Sequence, residues 1–213
     1  MTSPRRPVLV VSKPLGPPWT DGSKNLAREI VRGRESIARE AHAFAPEHGG
    51  VEASVVHRTP TRDLSRRTTL AILGTLASER RSALWHFVFA PSVRTRRAAG
   101  ALARLRHKPT VQTIASAPAA GVRLGDVVFA DRVVALSRAT HARALEQGVP
   151  ASRLALVPIA ITPPPVPSEH ALADVVRRHA LRDRFVVTFP GDLEHGGGAS
   201  LLLDACAAMS ARR

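Results

Sequence analysis

The sequence predicts an α/β protein: a Rossmann-like open parallel sheet, followed by the start of a second Rossmann-like unit. Three observations lead there. Apolar runs such as Val8-Leu9-Val10-Val11 lack polar alternation, the pattern of strands covered on both faces. Helical patterns opened by capping serines stand between those runs. The two alternate along most of the 213 residues, as crossover helices joining parallel strands require.

Taken in order, the first strand is Pro7 to Ser12, followed by a Gly/Pro loop from Lys13 to Asp21. Ser23 is the expected N-cap of a helix to about Arg34, with Leu26, Ile30 and Val31 on one face. A second strand is expected over Val51 to His57. The next helix runs from Ser65 to Arg80, with Leu70, Leu73, Leu76 and Ala77 at helical spacing. Ala83 to Phe89 is a third strand, and Ser92 caps a helix carrying Ala98, Leu102 and Leu105. Thr110 to Ile114 is a fourth strand. Asp131 to Leu136 is a fifth, with Ser137 at an N-cap position and a helix to Gln147 that stops at Gly148. Arg153 to Ile161 is one more apolar strand.

Prolines at 163, 164, 165 and 167 exclude helix and central strand, so 163–168 is the expected linker between a unit over 1–162 and the beginning of another over 169–213. The second unit should hold a helix over Glu169 to His179, a strand over Phe185 to Phe189, a glycine turn from Gly191 to Gly198 and a final helix. Cys206, the only cysteine, lies in an apolar run and reads as a small buried hydrophobe.

The formal charge is +14, which suggests an anionic partner. Only Lys13, Lys24 and Lys108 are lysines; the remaining cations are arginines, in a chain also rich in alanine and proline, so GC-rich coding explains the excess equally well. With aromatics at 4% and no tyrosine, there is no stacking platform for single strands. No segment approaches the ~20 apolar residues of a membrane span. The expected location is cytoplasmic, with peripheral contact to an anionic membrane surface left open.

Ligands of open parallel sheets bind at the carboxyl ends of strands. In the first loop, Gly16 and Gly22 would let the backbone approach a substrate and Asp21 would accept sugar hydroxyls; turn and cap chemistry is the alternative. His86 stands at an expected strand end between Trp85 and Phe87, as a substrate contact or a packed core residue. Ser116 and Ser137 follow later strands, and Ser137 is most simply an N-cap. His86, Asp21 and Gly22 are expected in one cleft. Gly191, Gly196 and Gly197 would offer backbone N–H groups to a diphosphate at a helix start, or form a plain turn. Gly197 and Gly198 stand where a P-loop needs Lys and Ser/Thr. No metal is expected, since HExxH, a cysteine pair and DxD are all missing.

One stretch is more specific. Phe129-Ala130-Asp131-Arg132-Val133-Val134-Ala135-Leu136-Ser137, then Gly148-Val149-Pro150 and Leu156-Val157-Pro158, resembles the retaining glycosyltransferases of family 4. Ala83-Leu84-Trp85-His86, Phe185 to Gly191 and Leu201 to Ala205 resemble further stretches of that family. The resemblance implies the GT-B fold: two Rossmann-like domains, with acceptor held mainly by the first and nucleoside-diphosphate sugar mainly by the second. It implies no cofactor beyond that donor, and a saccharide or lipid-linked acceptor. The family's "GRxxxxKG" loop is here Gly191-Asp192-Leu193-Glu194-His195-Gly196-Gly197-Gly198, without its two cations. The family's paired-glutamate donor motif has no counterpart, and 213 residues are expected to be inactive alone. Three other classes remain: a non-catalytic remnant, a basic nucleic-acid-binding protein, and another Rossmann enzyme. The first loop lacks GxGxxG, which argues against NAD. No G-x-S-x-G supports a hydrolase.

Overall fold

The computed structural model describes residues 7–36, 40–47, 51–160, 165–189 and 198–210. The chain divides into two units, Met1–Ile161 and Thr162–Arg213. The first is a seven-stranded parallel sheet in the order β3-β2-β1-β4-β5-β6-β7. Its strands are β1 (Val8–Ser12), β2 (Ala41–Pro46), β3 (Val55–Thr59), β4 (Leu84–Phe89), β5 (Thr110–Ile114), β6 (Arg132–Ala135) and β7 (Leu154–Leu156). Its helices are α1 (Gly22–Ser36), α2 (Arg66–Ser78), α3 (Val93–Leu105), α4 (Leu124–Val127) and α5 (Arg138–Glu146). The order reverses at β1, as in a Rossmann-like sheet.

Alternation along the strands divides two cores. On one face Leu9, Val11, Phe44, Trp85 and Phe87 pack against Ile72 and Leu76 of α2 and Ala99 and Ala103 of α3. On the other Val8, Val10, Ala43 and Val88 pack against Ala27 and Val31 of α1. A third cluster joins Ile114 and Val133 to Leu124 of α4 and Ala144 of α5. Ring pairs Trp85–Phe87, Phe87–Phe89 and Phe87–Phe129 meet edge-on, which adds specificity to the first core.

Several expectations change. β2 is a strand that the sequence reading lacked: its Ala-His-Ala-Phe-Ala run is weakly apolar, yet all six residues are buried between β1 and β3. The strand expected over Val51 to His57 begins at Val55 and ends at Thr59. Asp21, rather than Ser23, caps α1, its Oδ1 accepting from the Ser23 and Lys24 amides at 2.8 and 3.3 Å. In α2 the buried face is Thr68, Ile72 and Leu76, while Leu70 is 68% exposed. In α3 it is Ala99, Gly100 and Ala103, and Leu105 is exposed. Small residues face the sheet there because Phe87 and Phe129 fill the space between. The strand expected to reach Ile161 stops at Leu156, and 157–160 are exposed. Ser65, Ser92 and Ser137 do cap α2, α3 and α5, and Gly148 has the positive φ (90°) of a helix end.

The second unit contains α6 (Glu169–Arg178), capped by Ser168, and α7 (Gly198–Ser210). Pro163 and Pro164 of the expected linker lie outside the described residues, and 165–168 form neither helix nor strand. Phe185 to Phe189, expected as a strand, is unpaired, with Phe185 89% exposed. A strand exists only through hydrogen bonds to a neighbour, and no described segment of this unit supplies one. Among the described residues of this unit none is buried, and Cys206 is exposed, against the expectation of burial.

Candidate functional site

The carboxyl ends of β1 and β4 flank the point where strand order reverses. There a cleft of about 640 Å³ lies between α2 and α3. Val11, Phe87 and Phe89 rise from the sheet, Ile72, Leu73 and Leu76 come from α2, and Ala98 and Ala99 from α3. Lys13, Arg66 and Arg94 supply positive charge, and Ser92, Thr69 and Thr95 supply hydroxyls. Ser92 Oγ accepts from the Thr95 amide at 3.2 Å, so the capped start of α3 borders the cleft. An apolar floor with a basic, hydroxyl-bearing border suits an amphipathic ligand that carries anionic or polar groups.

Lys13 and Asp21 form an ion pair at 2.5 Å beside this cleft. Burial opposes the Asp21 charge, but hydrogen bonds from Lys13 and Ser23 outweigh it and hold the carboxyl down to about 2. Its Oδ1 also accepts from Ser23 Oγ at 2.6 Å. Both carboxylate oxygens are thereby engaged in capping and pairing, the structural reading of the residue.

The remaining expected site residues disperse. Gly16 is buried in the loop after β1. Gly22 is the exposed first residue of α1, and a Cβ there would touch nothing within 4 Å, so no close backbone approach demands glycine. His86 lies in the middle of β4, not at its end: it pairs with Val10 and Val111, three residues before the strand stops at Phe89. Trp85 and Phe87 point to the opposite face, so adjacency in sequence is misleading. His86 Nε2 is 2.8 Å from Thr113 Oγ1. Burial, and then the positive charge of Arg34, lower its pKa to about 4. Arg34 is near the carboxyl end of α1, whereas Asp21 and Gly22 are at its amino end, ~18 Å away along the helix at 1.5 Å per residue. None of His86, Asp21 and Gly22 lines the cleft. Ser116 is exposed after β5. Ser137 Oγ accepts from the Thr140 amide at 3.1 Å, as an N-cap. Gly191, Gly196 and Gly197 lie outside the described residues.

What sequence reasoning missed is the α2 contribution. Arg66 and Thr69 carried no motif; only their position on the first turn of a helix packed beside the switch point places them there. Asp131, in the stretch with the family-like pattern, acts structurally: its Oδ2 accepts from the amide and hydroxyl of Thr110, both at 2.8 Å, and ties β6 to β5. A further group of potential metal ligands, His42, His57 and Glu79, lies by β2 and β3.

No family model matches the sequence, and no curated protein matches it. Solved structures do. The crystal structure of Anabaena HepE in complex with UDP and glucose matches with a TM-score of 0.54 at 14% identity, over 84% of this chain and 52% of that one. The same protein in complex with UDP-glucose gives 0.54 and 13%, over 84% and 51%. At such identity the likeness establishes the fold: a Rossmann-like parallel α/β sheet. The chain spans about half the length of the structures it matches. No helix of the described residues is long and apolar enough to cross a membrane.

Proposed function

We propose that residues 1–162 are the acceptor-side domain, and 169–213 the start of the donor-side domain, of a GT-B glycosyltransferase of the retaining family 4 type. The reaction is transfer of a sugar from a nucleoside-diphosphate sugar to a saccharide or lipid-linked acceptor. The observation that carries the proposal is the match of 84% of the chain to a structure bound to UDP-glucose. The β6–α5–β7 segment, which holds the family-like motif, supports it, as does the cleft at the strand-order switch.

In this reading the acceptor's apolar portion lies over Phe87 and Phe89 and its anionic or hydroxyl groups meet Arg66, Arg94 and Ser92. The attacking hydroxyl is presented toward the donor, which is held mainly by residues outside the first unit. Departure of the diphosphate requires preorganised positive charge. The Gly191–Gly198 segment brings Asp192 and Glu194 in place of cations, so the 213 residues are expected not to turn over alone.

The test is a panel of nucleotide sugars and of saccharide and polyprenyl-phosphate-linked acceptors, read by turnover, calorimetry and chemical-shift mapping. Acceptor-dependent shifts confined to the cleft, with neither turnover nor micromolar donor binding, are the expected result. Turnover above an Arg94→Ala control would show a complete active site within these residues and refute the division of labour. Silence toward every acceptor would refute the acceptor role.

A further inference from the structure

We infer that His42, His57 and Glu79 form a binding site for one divalent transition-metal ion, best suited to zinc. The site lies on the outer part of the sheet, where β2, β3 and the carboxyl end of α2 meet. It stands apart from the cleft, whose lining includes none of the three residues.

Topology brings the ligands together. Phe44 pairs with His57 across β2 and β3, so His42, two residues before Phe44, shares that face on the diagonal. The two imidazole centroids are 5.6 Å apart. Phe44 packs on the His57 ring at 5.4 Å and limits its rotation. Glu79 is the C-cap of α2, its backbone amide bonded to Thr75 O at 2.7 Å. Its Oε1 accepts from the Arg81 and Ser82 amides, which fixes the carboxylate and turns Oε2 toward the two rings.

The distances favour a metal over direct pairing. Glu79 Oε2 is 3.8 Å from His42 Nδ1 and 3.6 Å from His57 Nε2. Both are too long for hydrogen bonds. Both are near the ~3.4 Å that separates two ligand atoms in a tetrahedral site with zinc bonds of ~2.1 Å. All three ligand atoms lie within 4.8 Å of one another. His42 Nδ1 and His57 Nε2 are buried without hydrogen-bond partners, and the His42 side chain is only 2% exposed. An unpartnered buried imidazole nitrogen is costly, and a cation between the three groups would satisfy both nitrogens at once.

Two imidazoles and one carboxylate make a borderline donor set suited to zinc. The His57 side chain is 19% exposed, leaving room for a water as fourth ligand. The ion would tie β2 and the edge strand β3 to the end of α2.

The test uses the full chain, stripped with chelator and titrated with zinc chloride in competition with a chromogenic chelator. One equivalent should bind, and cobalt(II) should give the intense visible absorption of a four-coordinate site. His57→Gln and Glu79→Gln should each weaken zinc binding by about tenfold or more, while His170→Gln, in the other unit, should leave it unchanged. Zinc should raise the Tm of the wild type and not of the two site variants. If the wild type binds no stoichiometric zinc, the inference fails, whatever the variants do. It also fails if both site variants bind as the wild type does.

Discussion

At the residue scale, His86 and Asp21 both make acid destabilise the fold, in two successive pH windows. Folded His86 titrates near 4, and an exposed histidine near 6.5. Above pH 6.5 both states are neutral. As pH falls from 6.5 toward 4, the unfolded chain takes up a proton that the folded chain refuses, so stability is lost across that window. The loss is on the order of 3 kcal/mol at most. His86→Gln keeps a partner for Thr113 but does not titrate. Its urea-unfolding free energy should therefore fall less between pH 7 and 4.5 than that of the wild type; equal declines would place His86 in solvent. Asp21, held near 2, contributes stability that is present above about 3.8 and lost as pH falls toward 2. At neutral pH, Asp21→Ala should cost ~1 kcal/mol through the lost cap, measured by the same unfolding curves. Unaltered stability would mean the cap is supplied elsewhere.

At the element scale, helical spacing identified α2 and α3 but not which side faces the sheet. Leu70 and Leu76 belong to the same apolar pattern, yet one is 68% exposed and the other 1%. Leu76→Ala should cost ~2–5 kcal/mol, since it opens a cavity beneath Trp85 and Phe87, and Leu70→Ala no more than ~0.5. Comparable losses from the two would reverse the assignment of the faces. Gly125 makes a different point. A Cβ there would overlap the backbone carbonyl oxygen of Gln147, where α4 crosses the end of α5. Gln147 Oε1 also accepts from the Leu124 amide at 2.7 Å, holding the two elements close. Gly125→Ala should cost ~1–3 kcal/mol by overpacking, visible as a lowered Tm. The four-residue α4 carries too short a pattern to be found from sequence.

At the scale of the whole molecule, the two units differ in what holds them. The first has three buried clusters and a sheet paired on every strand. Among the described residues of the second, Phe185, Leu201, Leu203 and Met209 are exposed and none is buried. Hydrogen exchange should therefore protect β1, β4 and β5 strongly, while amides in 165–189 and 198–210 exchange with little protection. Limited proteolysis should cut within the second unit and leave the first intact. Protection of Phe185 to Phe189 comparable to β4 would show a paired strand there. The exposed apolar residues should also make the chain associate as concentration rises, seen by sedimentation.

The sequence by itself determined the parallel α/β class, most of the first unit's strands and the serine caps of α2, α3 and α5. These depend on local propensity, on hydrophobic period and on hydrogen bonds within one turn. Tertiary structure alone decided β2, whose alanines gain their burial from pairing with β1 and β3 and from α1 packed over them. It decided that His86 belongs to the core, because a position along a strand is fixed by pairing register rather than by neighbours in sequence. It also decided the cleft and the His42–His57–Glu79 group. Their members are far apart in the chain, and only sheet order and helix packing bring them within reach of one another.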